Sequence, residues 1–319
     1  MDSILCGVDL GGTKLGVGLV SESGQVIEET LVYDHVSKTP DAIMDEIAGL
    51  IRALLRKHGV DESRLRGIGV GTAGHLRHRD GTLITMSNLP GFKGYPIRDR
   101  LKERFAAPVE VDNDANAQAY GEFRHGAGRG YRHMIFMTLS TQIGAGIVLD
   151  GKLFRGMTGT AGEIGHTIVD PGSDEVCPCG NRGCLISVAS GIALPSAFRK
   201  KLQAGLSSSL ASLSELDSVA IDGNLIARGL AIGDPACLAV LEDFTRFIGL
   251  GIYNLFQIFN PEVVVLGGGL TNWGDPFFAG IRRHFLELAR DMMFEEMAIL
   301  PGTCRSSGIV GAASLVLAS

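Results

Sequence analysis

Apolar and polar positions alternate in short runs at the start of the chain. Ile4 to Leu10, Leu15 to Val20 and Gln25 to Val32 are β-rich segments parted by Gly11-Gly12-Thr13-Lys14 and Ser21-Glu22-Ser23-Gly24, which predicts a strand-turn-strand-turn-strand meander. The period then lengthens. Ile43, Ile47, Leu50, Ile51 and Leu54 recur at the spacing of one helix face, behind Thr39 as cap and Pro40 at the first helical position. A helix over 40–58 follows, closed by Lys57, His58 and Gly59. Strands are expected over 66–72 and 109–111, each with a polar or Gly-rich tip at its C-terminal end, where α/β sheets bind ligands.

The opening device recurs. Met134 to Val148 reads as strand, Leu139-Ser140-Thr141-Gln142, then Gly144-Ala145-Gly146, and one residue of gap aligns it with Leu10-Gly11-Gly12-Thr13 and Gly16-Val17-Gly18. Two similar α/β domains, each opening with a β-hairpin whose tip points into a shared cleft, are the simplest architecture; two unrelated Gly-rich hairpins are the alternative. The expected boundaries are 1–112 plus 303–319 for a smaller domain and 113–302 for a larger one. Asp114 to Arg124 and Pro235 to Phe259 read as helices, the second apolar nearly all round and so buried. Glu262 to Leu266 reads as a buried strand feeding Gly267-Gly268-Gly269, and Val310 to Leu317 as a last helix packing back on the N-terminal domain. Residues 204–222, rich in Ser and Ala, carry little pattern.

Composition narrows the function classes. The 319 residues are 45 % hydrophobic and 20 % charged, with a net charge of −6 and no long run of one sign, which excludes bulk disorder and argues against nucleic acid or an anionic membrane as partner. No stretch approaches a bilayer-spanning length of about 18 apolar residues, and Met1-Asp2-Ser3 leads straight into Ile4-Leu5-Cys6 without a basic leader, so a cytoplasmic address is expected. The 44 glycines follow no collagen period and have to be read by position. Three of the six cysteines, Cys177, Cys179 and Cys184, fall close together, unlike a secreted disulfide framework.

Three clusters could carry chemistry. In Asp9-Leu10-Gly11-Gly12-Thr13-Lys14, at a strand end, Gly backbone N–H groups, the Thr hydroxyl and the Lys charge suit a phosphate, and the Asp carboxylate suits hydrated Mg²⁺; a tight hairpin with an exposed acid is the plainer reading. Asp112-Asn113-Asp114-Ala115-Asn116 lies where a strand meets a helix. Either acid taken singly reads as a helix cap, yet both cannot be needed as caps, and one could take a proton from a substrate hydroxyl. His166 with Cys177, Cys179 and Cys184 offers the full ligand set of a closed, structural zinc site; a Cys179–Cys184 disulfide or reactive thiols are the alternatives. His75 and His78, with no third donor nearby, read as a solvated loop, and Cys237 as core.

Together these motifs resemble the ROK family of repressors, open reading frames and sugar kinases, over essentially the whole chain. Besides the segments above, Asn88-Leu89-Pro90-Gly91-Phe92, Gly159 to His166, the loop Cys177 to Cys184 and Val265-Leu266-Gly267-Gly268-Gly269 carry the resemblance. It implies two actin/hexokinase-like, ribonuclease H-like domains around a cleft, and ATP-dependent phosphorylation of a hexose, glucose at the 6-hydroxyl by default. Kinases of N-acetylmannosamine, N-acetylglucosamine or another modified sugar, or of fructose, are the alternatives. On this resemblance Asp114 is the base, Asn88, Asn113, Glu163 and His166 hold sugar hydroxyls, Gly11, Gly12, Thr13, Lys14, Thr141 and Gly144 line the phosphates, Gly267, Gly268 and Gly269 the adenosine, and Asp9 the Mg²⁺ shell. It further implies a homodimer. A sugar-sensing repressor would carry a DNA-binding helix-turn-helix before the first strand, where three residues precede Ile4, and a non-catalytic sugar sensor is a third class. Two departures stand out: Ser140-Thr141-Gln142 puts a side chain where the family commonly has Gly, and Ile186 stands where the kinases commonly carry Glu after Cys-Leu.

Overall fold

The computed structural model describes residues 3–86, 89–212, 214, 216, 218–290 and 296–318, with the side chain of Pro90 excepted. In chain order the elements are β1 (Ile4–Leu10), β2 (Leu15–Ser21), β3 (Val26–Val32), α1 (Pro40–Lys57), β4 (Leu65–Thr72), β5 (His75–Arg77), β6 (Thr82–Thr85), β7 (Tyr95–Pro96), α2 (Ile97–Lys102), β8 (Val109–Asn113) and α3 (Asp114–His125). There follow β9 (Met134–Leu139), β10 (Ile143–Leu149), β11 (Lys152–Leu153), α4 (Leu185–Ala189), α5 (Leu194–Gln203), α6 (Gly223–Ala231), α7 (Pro235–Phe259), β12 (Val263–Gly267), α8 (Asp275–Ala289), β13 (Ala298–Pro301) and α9 (Ser307–Leu315). The chain divides into two compact units, Met1–Phe136 with Gly146–Gly162 and Gly302–Ser319, and Met137–Ala145 with Glu163–Pro301.

The first unit is built on a sheet of order β3-β2-β1-β4-β8. β1 and β2 form the expected antiparallel hairpin, and β4 and β8 extend it in parallel, so β1, β4 and β8 end on the same side. Period 2 along β1 decides what each face meets. Cys6, Val8 and Leu10 join Ile43, Ile47 and Ile51 of α1 in one core, while Leu5 packs with Ile309, Val310 and Ala313 of α9. Thr39 caps α1 through its hydroxyl, with Pro40 at the start, as its sequence predicts. α9 lies close on the sheet because Gly7 and Gly69 leave room: a Cβ at either would overlap the carbonyl oxygens of Ile309 and Ala312. A share of the glycine content therefore serves helix-on-sheet packing rather than ligand approach. α9 begins at Ser307, a turn earlier than the apolar pattern suggests.

A small sheet, β5-β6-β7, corrects the reading of His75 and His78 as a solvated loop. His75 lies in β5, and His78 Nδ1 is 3.2 Å from the Val111 carbonyl. At the far end of α3, buried Glu122 accepts the N–H groups of Ala127 at 2.9 Å, Thr303 at 3.1 Å and Cys304 at 2.9 Å, tying the C-terminal segment to the unit. Glu122→Ala strands three donors, and an equilibrium urea denaturation should show a loss of about 3 kcal/mol. A loss below about 1 kcal/mol would mean that solvent replaces the carboxylate there.

In the second unit the hairpin tip Met137–Ala145, β12 and β13 belong to a sheet of order β11-β10-β9-β12-β13. α7, capped by Asp234, packs against α4, α5, α6 and α8, as its nearly all-round apolar sequence predicts, though Leu238 and Ile258 are exposed. No single helix among the described residues is long and apolar enough to cross a membrane.

Candidate functional site

The first hairpin delivers Asp9 and its glycine turn to one end of the sheet. Asp9 faces the α9 side, against Gly308, with Lys14 Nζ at 3.3 Å from Oδ2. Burial raises the Asp9 carboxyl above its ordinary range, and the Lys14 charge pulls it back. The two line a cavity of about 360 Å³ with Gln118, Ser306, Ser307 and Gly308. The turn itself is held twice at Gly11: its N–H donates to the Lys14 carbonyl at 3.0 Å, and its carbonyl accepts from His35 Nε2 at 2.9 Å. Thr13 is exposed. No periodicity or motif marks His35, which reaches the turn from beyond β3.

At the β8–α3 junction the structure sorts the acids. The cap of α3 is neither aspartate but Asn113, whose Oδ1 accepts the Ala115 N–H at 2.8 Å, while its Nδ2 donates to the Gly74 carbonyl at 3.3 Å. Asp112 is buried as a counterion: Arg155 Nε donates to Oδ2 at 2.6 Å, and Asn116 Nδ2 and the Asn113 N–H donate to Oδ1 at 2.9 and 2.8 Å. Asp114 opens α3, half-buried, with Oδ1 2.9 Å from the Ala115 nitrogen. Arg155 gave no signal in the sequence, because its partner is separated from it along the chain and joined to it only by the fold. Asn88 lies outside the described residues.

In the second unit, Glu163 and His166 sit on a helical turn in which the His166 N–H donates to the Glu163 carbonyl at 3.0 Å. The ligand atoms of His166, Cys177, Cys179 and Cys184 all lie within 4.8 Å of one another. Cys179 and Cys184 have sulfurs 3.8 Å apart, and His166 Nδ1 is 3.3 Å from Cys177 Sγ. A disulfide needs about 2.05 Å, so the Cys179–Cys184 alternative does not hold; all six cysteines are free. A tetrahedron with bonds of about 2.3 Å has edges of about 3.8 Å, so the donor set and its spacing fit a metal ion. Burial pushes the Cys184 thiol up to about 12, whereas the Asn181 N–H holds Cys179 down to about 6. Ile186 is buried against Cys177 and Cys184, so it covers this cluster.

The second hairpin tip is also braced. The Ser140 N–H donates to the Gln142 carbonyl at 3.0 Å, and the Gly191 and Ile192 N–H groups donate to the Ser140 and Thr141 carbonyls at 2.8 and 3.1 Å. Thr141 and Gln142 are exposed, and Gly144 is half-buried in β10. Gly268, which follows Gly267 and precedes Gly269, has φ +90°, and a Cβ there would overlap the Leu139 backbone, so the triple glycine rests directly on the hairpin. The bracing by Gly191 was not foreseen from the sequence.

Paired hairpin-opened α/β units of this kind belong to the actin/hexokinase class, the fold class of the sugar kinases. Within it, the chain belongs to the ROK family, whose model matches residues 5–319. It is 32 % identical to the glucokinase of Halalkalibacterium halodurans over 311 residues, covering 97 % of this chain and 94 % of that one. The N-acetylmannosamine kinase of Citrobacter koseri is 29 % identical over 309 residues, 97 % of each chain. Among solved structures, a ROK family glucokinase from Streptomyces griseus in complex with glucose and AMPPNP matches with a TM-score of 0.77 and 31 % identity, over 98 % of both chains.

Proposed function

We propose that the protein is an ATP-dependent hexose kinase that phosphorylates glucose at its 6-hydroxyl. The observation that carries this reading is the division of labour at the β8–α3 junction. Asp112 is buried in its pair with Arg155, so of the two junction acids we assign Asp114 to chemistry. Asp114 accepts the proton of the 6-hydroxyl as its oxygen attacks the γ-phosphorus in line, the bond to the bridging oxygen breaks, and ADP leaves. Gly11, Gly12, Thr13, Lys14, Thr141 and Gly144 line the phosphates, and Gly267, Gly268 and Gly269 border the adenosine. Asp9 holds Mg²⁺, which neutralises phosphate charge when bound. Asn88, Asn113, Glu163 and His166 take the remaining sugar hydroxyls, His166 through Nε2, since Nδ1 faces the thiols. We assign the cysteine cluster to structural zinc, which fixes the loop that carries these residues, and the working assembly to a homodimer in the cytoplasm.

Ile186 is the observation that keeps a second substrate in view, because an N-acetylated hexosamine tolerates an apolar neighbour better than glucose does. Its burial against the cluster favours glucose: the side chain is occupied in covering the thiols. A coupled ADP-release assay across glucose, fructose, N-acetylglucosamine and N-acetylmannosamine decides between them. Glucose is expected to lead in kcat/KM by at least about tenfold. A lead for an N-acetylhexosamine would replace it, and no ADP release with any sugar would sink the kinase reading itself.

A further inference from the structure

His35 is fully buried, and nothing in the chemistry above uses it. A carbonyl oxygen only accepts, so the 2.9 Å contact from Nε2 to Gly11 O places the ring's proton on Nε2. Nδ1 is buried without a protein partner among the described residues. Among the described residues the one hydrogen bond of the imidazole is the one to the Gly11 carbonyl. That bond fixes a peptide plane. Every described peptide bond is trans, so turning the Gly11 carbonyl inward to His35 turns the Gly12 N–H outward. The Gly11 N–H, bonded to the Lys14 carbonyl, belongs to the preceding peptide plane, so without His35 this plane between two glycines would rotate at little steric cost.

We propose that His35 is a positioning residue for the nucleotide. It presents the Gly12 N–H, preorganised, to an anionic phosphoryl oxygen of a nucleoside triphosphate. The inference rests on the assignment of the Gly11-Gly12-Thr13 turn to phosphate, and the test separates the two.

Binding of AMPPNP with Mg²⁺ is measured by calorimetry, alongside KM for ATP and glucose, in wild type, His35→Leu, His35→Gln and Thr13→Ala. His35→Leu removes the donor and is expected to weaken AMPPNP and raise KM for ATP about tenfold, with KM for glucose within about twofold. His35→Gln, whose amide N–H replaces Nε2–H, should return both to within about threefold of wild type. If the leucine variant does not fold, His35→Asn, whose shorter amide stops short of Gly11 O, takes its place against His35→Gln. Unchanged AMPPNP affinity in a folded variant without the donor overturns the proposal, as does an equal loss for ATP and glucose. A weakened Thr13→Ala beside unaffected His35 variants sinks the His35 assignment alone. An unaffected Thr13→Ala sinks the phosphate assignment of the turn, and the proposal with it.

Discussion

Asp114→Asn is expected to lower kcat by about 10²- to 10⁴-fold while glucose and AMPPNP affinities stay within about threefold. The amide keeps the shape of the carboxylate and an oxygen that can still accept the Ala115 N–H, and the cap of α3 is supplied by Asn113, so the helix start survives the change. What is lost is the ability to take a proton from the attacking hydroxyl. Asp112→Asn is the contrasting variant. It weakens a charge-assisted bond and leaves the partly buried Arg155 guanidinium without its anion, and it should show itself as a stability loss of about 3 kcal/mol. A catalytic role thus appears in turnover without unfolding, and a scaffolding role in unfolding first. Single-turnover kinetics and thermal melts on both variants separate the two. If Asp114→Asn retains more than about a tenth of wild-type kcat, the base lies elsewhere.

The same junction shows what a sequence can and cannot disclose. The bounds of α7, the Thr39 cap of α1, the two hairpins and the clustered His and Cys side chains are legible because each is written in a local pattern: an apolar period, a cap beside a proline, a tight spacing of thiols. Which residue of Asp112-Asn113-Asp114 caps α3 is not, because all three are good caps and the choice is made by Arg155, brought to Asp112 by the fold. His35 and Glu122 escaped for the same reason, since each acts on backbone far along the chain. The small sheet β5-β6-β7 was missed because its strands are too short for a period to register. Ile186 was legible as an unusual residue but not as a cover for thiols, which only the folded loop reveals.

Cys184→Ser is expected to strip the zinc and to lower the melting temperature by about 10 °C. Metal analysis of the wild type should return about one zinc per chain, and of the variant less than about a tenth of that. Cys184 is fully buried, and without a cation its thiol is held neutral, so the loop on its own offers one readily ionised sulfur, at Cys179. Metal binding must deprotonate the other two, and the bonds gained offset the cost of burying their charge; a serine hydroxyl cannot follow, because its proton is held far more tightly. Removing one ligand therefore removes the reason for the loop to close, and Glu163 and His166, carried on the adjoining turn, lose their fixed positions. Glucose KM should rise before ATP KM does, since the hairpins proposed to hold ATP are braced by backbone bonds that do not involve the cluster. A Cys184→Ser protein that keeps its metal and its melting temperature would show that the sulfurs gather for another purpose.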